Sequence, residues 1–581
     1  MAELPPPTTT RPTIRGSKYM VSTGHPLATA AAIRILEAGG TAIDAGVAAG
    51  LCLNVVLPQF TNLGGVAPII LHSARDQTVR SISGLGWWPE TVDIDYFRVE
   101  CAGEMPPGVQ RCVVPAAVDA WLTALEQFGT KTLREVAAPA IELARNGFNV
   151  DALLHANLAG ATETMQRWPS SAAIYWPDGR PPVVGERLVQ RDLATTLELL
   201  VEAETDHLHL GRERAIRAAR DRFYRGDIAE RMAEFVAAEG GFLSLRDLHA
   251  FAVEVESPPS ITYRGYEVFG CGPWCQGPVA LQALRILEGY DLAALPPSGA
   301  AVLHLTLEAL KAAFADRELF YTDPKFVDVP LHGLLSRGYA EQWRARIDPN
   351  VAAPGMPIPG DPWAFEDRSR PNRPRIDAPM AKAGSMKADT SYLCVVDAEG
   401  NAFSATPSDG IGESPVVPGL GFAISDRGVQ SRLDPNHPSV IAPGKRPRLT
   451  PAPGLIMRGD RVFAPYGTPG GDVQPQAMVQ LVTNLIDFGM DPQAAIEAPR
   501  LASYSFPESF YPFPYRPGLV LAESRIPEDG IEELRRRGHN VEMWPEWSAA
   551  AGALCTIVVD EANRALLGAA DPRRTAYAMG W

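Results

Sequence analysis

The sequence lacks most of the features that would assign it at sight. Its seven cysteines, Cys52, Cys101, Cys112, Cys271, Cys275, Cys394 and Cys555, are odd in number and scattered, and no CxxC pair occurs. This argues against a disulfide framework or a cysteine zinc site and suits a reducing compartment. No GxSxG elbow, GxxxxGK(S/T) phosphate loop or HExxH helix is present. The common serine-hydrolase, nucleotide-binding and zinc-protease readings lose their usual support. The one HxH pair, His207 and His209, reads as solvated, and GLGFAIS (Gly419–Ser425) lacks the third glycine of a dinucleotide loop. Dense Lys/Arg runs are also missing. With 53 basic against 68 acidic residues the net charge is −15, which disfavours nucleic acid or an anionic membrane as partner. The opening residues, MAELPPPTTTRPTIRG, have no apolar signal-peptide core. An uncharged stretch from Ala45 to Leu71 is broken by Pro58, Gln59, Asn62, Gly64 and Gly65, so it reads as helix, loop and strand rather than as a membrane span. The expectation is a soluble, cytoplasmic protein.

What is present is globular in character: 46% apolar and 21% charged residues, with 51 Gly and 53 Pro following no repeat. Length alone allows roughly three to five domain-equivalents. Pro26 opens a helix with an apolar face through Leu36, stopped by Gly39 and Gly40. Thr41 and Asp44 form a capping box for a second helix, Ala42 to about Val56, apolar enough to be buried. A glycine-rich loop, Asn62 to Pro68, leads into a strand. A further capped helix starts at Thr132 with Glu135 and ends near Gly147, and another spans about Val302 to Leu319. Eight prolines between Pro349 and Pro379 predict an extended, mobile segment reaching residue 389. A β-hairpin follows, Thr390–Asp397 and Ala402–Thr406, turning at Ala398–Asn401. Val462 to Asp472 is a strand ending in a glycine-rich turn, before a helix from Pro475 to Ile486.

Read by itself, Thr390 is a β-former at a strand start. The run TSYLCVVDAEGNAF that it opens, however, resembles the start of the small subunit of the γ-glutamyltransferases (glutathione hydrolases), a family of N-terminal-nucleophile hydrolases made as inactive precursors. The resemblance extends over most of the chain in the expected order. Ser22–Pro58, Ala138–Phe148 and Phe326–Ala340 fit the large subunit, while Tyr466–Asp472 and Leu485–Leu501 fit the small one. It implies an α+β fold, a four-layer αββα sandwich built from both halves of the chain as one composite domain. It also implies self-cleavage of the Asp389–Thr390 bond into a large subunit, 1–389, and a small one, 390–581.

The chemistry implied is amide hydrolysis or acyl transfer without cofactor or metal. Thr390 would be the nucleophile, its freed α-amine the base, Gly470 and Gly471 the oxyanion hole, and Ser408 a partner of the new N-terminus. The departures from the family fall on the pocket. Leu85 stands where γ-glutamyl-specific members carry the Arg for the substrate α-carboxylate, and Leu449 and Thr450 replace a Ser-Ser pair. Gln430 replaces the Asp for the α-amino group, Arg427 replaces a Gln, and Gly410 an Asn. Trp87 and Trp88 suit a more apolar pocket, and Arg427 could fork onto a lone carboxylate. The expected substrate is a small-molecule amide whose acyl group lacks the full amino-acid head. Two alternatives stay open: a genuine γ-glutamyltransferase, and an unprocessed, non-catalytic binding relative. A homo-oligomer also remains open.

Overall fold

The computed structural model describes residues 9–371, 380, 382 and 389–581. Two seven-stranded sheets form its centre, each with all neighbours antiparallel. One runs, edge to edge, Ile14–Gly16, Ala565–Ala570, Cys555–Asp560, Arg461–Gly467, Gly454–Arg458, Tyr266–Gly270 and Ser260–Tyr263. The other runs Tyr577–Gly580, Tyr19–Thr23, Leu393–Asp397, Ala402–Ala405, Ile69–Ser73, Thr78–Ile82 and Val255–Glu256. Each sheet draws strands from both sides of residue 389.

The layering follows from the two-residue period of a strand, which sends alternate side chains to opposite faces. Cys394 and Val396 join Met20 and Ile70 in a buried cluster with Leu455, Met457, Ile557 and Leu566 of the other sheet. Their neighbours Leu393 and Val395 face the other way, into the cluster formed with helices Pro26–Glu37 and Ala42–Val56. On the sheet that contains Gly454–Arg458, Ile456, Ala464, Val558 and Leu567 meet helices Gly277–Leu287, Ala300–Phe320 and Val473–Ile486. Helix, sheet, sheet, helix is the resulting order: the expected αββα sandwich.

Local signals explain the elements nearest the hairpin. Thr41 and Asp44 exchange the two hydrogen bonds of a capping box, and all fifteen residues of Ala42–Val56 are buried. Thr132 and Glu135 do the same for Leu133–Asn146. Gly46 sits mid-helix because a Cβ there would lie 2.2 Å from the Phe403 ring. This glycine lets the helix lie flat on the hairpin. Among the described residues, no helix is long and apolar enough to cross a membrane.

The proline-rich segment departs from expectation. Its described part is not a free linker: Pro362–Phe365 forms a short 3-10 turn, and Trp363 is buried among the helices of the outer layer. Ala352 N donates to Arg537 O at 2.7 Å, and Glu366 accepts from Gly333 N at 2.8 Å. Proline content forbids regular helix, but it does not prevent an indole from anchoring the chain. Residues 372–379, 381 and 383–388 of the expected mobile segment lie outside the described residues.

Candidate functional site

The hairpin strand begins at Leu393, three residues later than the sequence suggested. The delay has a local cause: Thr390 has φ +109°, a region that a β-branched residue avoids because its Cβ and branches crowd the backbone. Neighbouring chain enforces the conformation. Thr390 N donates to Phe60 O at 3.1 Å, Ser391 N to Pro407 O at 3.0 Å, and Gly24 N to Tyr392 O at 2.9 Å. Ser408 is in turn bridged to Val66, its N–H donating to Val66 O at 2.9 Å. The Asn62–Pro68 loop, an apolar run broken by two glycines, thereby backs the threonine and the serine together.

Thr390 and Ser408 are fully buried, with their hydroxyl oxygens 2.7 Å apart. The Asp389 carboxylate reaches both, at 3.3 Å from Thr390 Oγ1 and 3.5 Å from Ser408 Oγ. Arg427, at 0% exposure, completes the group: its Nη2 donates to Asp389 Oδ2 at 2.5 Å and also to Ser408 Oγ. Its Nε pairs with Asp409 at 2.7 Å, and Phe510 lies 5.2 Å from the guanidinium. Burial disfavours the Arg427 charge, but Asp389, Asp409 and Asp426 outweigh it and hold the guanidinium above its usual value. Asp409 moves the opposite way to most paired carboxylates. Desolvation raises it well above the usual range, with Arg427 opposing and Asp426 adding like charge. Ser425 Oγ donates to Asp409, while Arg111 pairs with Asp426 and with Glu413.

Gly470 and Gly471 follow the strand Arg461–Gly467 with φ +126° and +58°, values that glycine alone adopts cheaply. The strand's last residue, Gly467, lies against Tyr392, two residues beyond Thr390. The turn is pinned from below. Gln276 Nε2 donates to Gly471 O at 2.8 Å, and Arg317 Nη1 joins Gln276 Oε1, at 3.1 Å, to Asp472. Among the described residues neither glycine N–H donates a hydrogen bond within the chain.

The remaining pocket candidates separate into groups. Gln430 donates to Thr450 Oγ1 at 2.9 Å, and both are buried beside the Arg427 turn. Leu85 and Leu449 belong to one apolar cluster that also holds Tyr392 and Trp274. Trp88 is core: it supports the Arg427–Gln430 turn at Gly428, and its Nε1 donates to Ser431 Oγ at 2.9 Å. Trp87 instead packs edge-on to Phe251 and lines a cavity of about 530 Å³ with Ser83, Leu85 and Arg446.

Sequence reasoning missed Asp409, Asp426, Phe510 and Asn62. Asn62 donates from Nδ2 to Asp409 O and accepts from Gly64 N at 2.8 Å, so it shapes the loop behind the site. The available signal was the adjacency of Asp409 to Ser408 and of Asp426 to Arg427. Adjacency alone could not show that Asp409 pairs with the Arg427 guanidinium while Asp426, paired with Arg111, adds charge beside it.

Comparisons with known proteins agree with this geometry. The family model described as Gamma-glutamyltranspeptidase matches residues 28–581. A "Glutathione hydrolase-like YwrD proenzyme" of Bacillus subtilis is 34% identical over 97% of this chain and 99% of its own. An "Acylase ACY 1 proenzyme" of Pseudomonas sp. (strain SE83) is 33% identical over 93% and 90%. Among solved structures, a cephalosporin acylase from Bacillus halodurans superposes with a TM-score of 0.84 at 30% identity, covering 100% of this chain and 99% of that one. A match that runs through both sheets and the hairpin, at these identities, has one reading: the chain belongs to the gamma-glutamyltranspeptidase family of N-terminal-nucleophile hydrolases.

Proposed function

We propose that the protein is a self-processing threonine amidohydrolase whose acyl site reads a single carboxylate. In the continuous chain Thr390 Oγ1 attacks the Asp389 carbonyl carbon, and the C–N bond breaks as its nitrogen takes a proton. This N-to-O shift frees the Thr390 α-amine and leaves an aspartyl ester on Oγ1, which water hydrolyses to a free Asp389 carboxylate and the Thr390 hydroxyl. Release of the backbone strain at Thr390 favours the step. The amine then takes the Oγ1 proton as the hydroxyl attacks a substrate amide; α-amines titrate near about pH 8, so a useful fraction is neutral at about pH 7. Gly470 and Gly471 N–H groups stabilise the oxyanion. Ser408 orients the nucleophile, the leaving amine departs protonated, and water or a second amine takes the acyl group.

The observation that carries the acyl specificity is the Arg427–Asp389 contact. The Asp389 acyl group on Thr390 is itself a dicarboxylic monoamide, with two carbons between carbonyl and carboxylate. Arg427 and Ser408 hold that carboxylate, and cleavage lets it leave. A short ω-carboxyacyl amide, succinyl or glutaryl, offers the same charge at a similar reach. Gln430, Thr450 and the Leu85–Leu449 cluster beside it offer no second ion pair for an α-amino-acid head, whose unpaired charges would be costly to bury. The test compares hydrolysis of succinyl-, glutaryl- and γ-glutamyl-p-nitroanilide by the processed protein. The proposal expects the two carboxyacyl compounds to be preferred, and a clear preference for the γ-glutamyl compound would reject it. That second reading, a genuine glutathione hydrolase, draws on the names of the relatives, including glutathione hydrolases of Bacillus subtilis and Escherichia coli at 27% and 29% identity.

A further inference from the structure

Away from the nucleophile, three metal-ligating side chains meet in the outer helical layer. His304 and Glu308 lie one turn apart on Ala300–Phe320, and His539 follows Gly538 at the entry to the strand Asn540–Trp544. All three are buried, and their ligand atoms lie within 4.8 Å of one another. Chemistry fixes the tautomer of the first. His304 Nε2 is 2.8 Å from Asp348 O, which can only accept, so Nε2 carries the proton and Nδ1 presents a lone pair. That lone pair faces His539 Nε2 at 2.9 Å. Glu308 is anchored by Lys311 Nζ at 2.7 Å on one oxygen and by Ala353 N at 3.2 Å on the other.

We propose that His304 Nδ1, His539 Nε2 and a Glu308 oxygen form a binding site for one divalent transition-metal ion, Zn²⁺ by the character of the donors. Two imidazoles and a carboxylate suit Zn²⁺, with bonds of about 2.0–2.2 Å. The two ring nitrogens, 2.9 Å apart, must spread to about 3.3 Å for tetrahedral bonds of that length, and the Glu308 oxygen must turn in to meet them. One outer partner is in place as well: ligating histidines ordinarily donate their other N–H to a carbonyl or carboxylate, as His304 does to Asp348 O. Binding requires His539 to move its proton from Nε2 to Nδ1, where the buried N–H has no acceptor among the described residues, a cost that the metal bond must exceed. The ligands straddle residue 389, two before it and one after. One ion would therefore clamp together the two pieces that self-cleavage produces, beside Asp348 and Ala353 at the root of the proline-rich segment.

The test uses the full processed protein, stripped with a chelator, dialysed and titrated with Zn²⁺ alone by calorimetry, with metal content counted after gel filtration. Expected are one tightly held ion per chain, a rise in Tm on loading, and at least about tenfold weaker binding in each of His539→Gln and Glu308→Gln. Amidase activity of the variants reports that they fold, since none of these residues belongs to the Thr390 site. Should a variant fail to fold, Co²⁺ added to the unaltered protein gives an independent reading. Visible d–d bands of a low-coordinate nitrogen-oxygen site support the proposal; a spectrum of hydrated Co²⁺ only overturns it. Absence of stoichiometric Zn²⁺ binding, or binding that both folded variants leave unchanged, also overturns it.

Discussion

At the scale of residues, two side chains set the behaviour of the site. Thr390 is held at φ +109° by hydrogen bonds of residues 390–392 to Phe60, Pro407 and Gly24, a conformation that costs on the order of 1–3 kcal/mol. Loss of its hydroxyl leaves that strain but removes the attacking oxygen. Thr390→Ala should therefore remain full-length and inactive; cleavage surviving the change would refute the nucleophile assignment. Arg427 contributes directed donation as well as charge: its Nη2 donates to both Asp389 and Ser408, while its Nε lies 2.7 Å from Asp409. Arg427→Lys keeps the charge but offers one compact ammonium. It should lower kcat/KM for glutaryl-p-nitroanilide by roughly 10- to 100-fold, the worth of one charged hydrogen bond, while a neutral acyl anilide is affected less. Equal losses on both substrates would contradict the specificity argument. Thr390, Ser408 and the Gly470–Gly471 pair were legible only through the family-like runs that hold them, since Thr390 read by itself is a strand residue. The acids around Arg427 were not, because Asp409, Asp426 and Phe510 converge only when separate loops fold over one buried cation.

At the scale of elements, the helix Ala42–Val56 illustrates which rules of sequence hold and which need the third dimension. Its capping box and its burial could be read from Thr41, Asp44 and the lack of charge. The reason for Gly46 could not, since the Phe403 ring it accommodates lies on a strand distant in sequence. Gly46→Ala improves helix propensity by up to about 1 kcal/mol, yet overpacking of a tight interface costs about 1–3 kcal/mol. The second term should win, giving a lower Tm by calorimetry; a raised Tm would show that the helix can retreat from the hairpin. The proline-rich segment teaches the converse, because Trp363 outweighs the prolines around it and docks the chain.

Helix packing also fixes a pH dependence. Asp316 is fully buried and accepts from Tyr339 Oη and Trp343 Nε1, both at 2.8 Å, and from Gln282, with no cation among these partners. Desolvation raises it to about 6 despite those hydrogen bonds. Its folded value thus exceeds the unfolded one, so its contribution is fully present below about pH 4 and is lost as pH rises through about 6, a change of about 3 kcal/mol. Asp316→Asn should flatten the fall in stability between these pH values in denaturant titrations. An unchanged pH profile would place the titration elsewhere.

At the scale of the whole molecule, the central fact is interleaving. Strand Leu393–Asp397, on the nucleophile side of the proposed cut, is flanked by Tyr19–Thr23 from before it and Ala402–Ala405 from after it. The other sheet likewise sets Gly454–Arg458 against Tyr266–Gly270. Cutting after residue 389 would sever one loop and leave both sheets intact, so the pieces should stay together under native conditions. The same interleaving explains why length misleads as a guide to domains here, since several domain-equivalents of chain are wound into one sandwich. The account stands or falls on that cut. A denaturing gel of the purified protein, followed by N-terminal sequencing of the smaller band, tests it most directly. The prediction is two bands, the smaller beginning Thr-Ser-Tyr-Leu; a lasting full-length band in active protein, or a fragment beginning elsewhere, would contradict it.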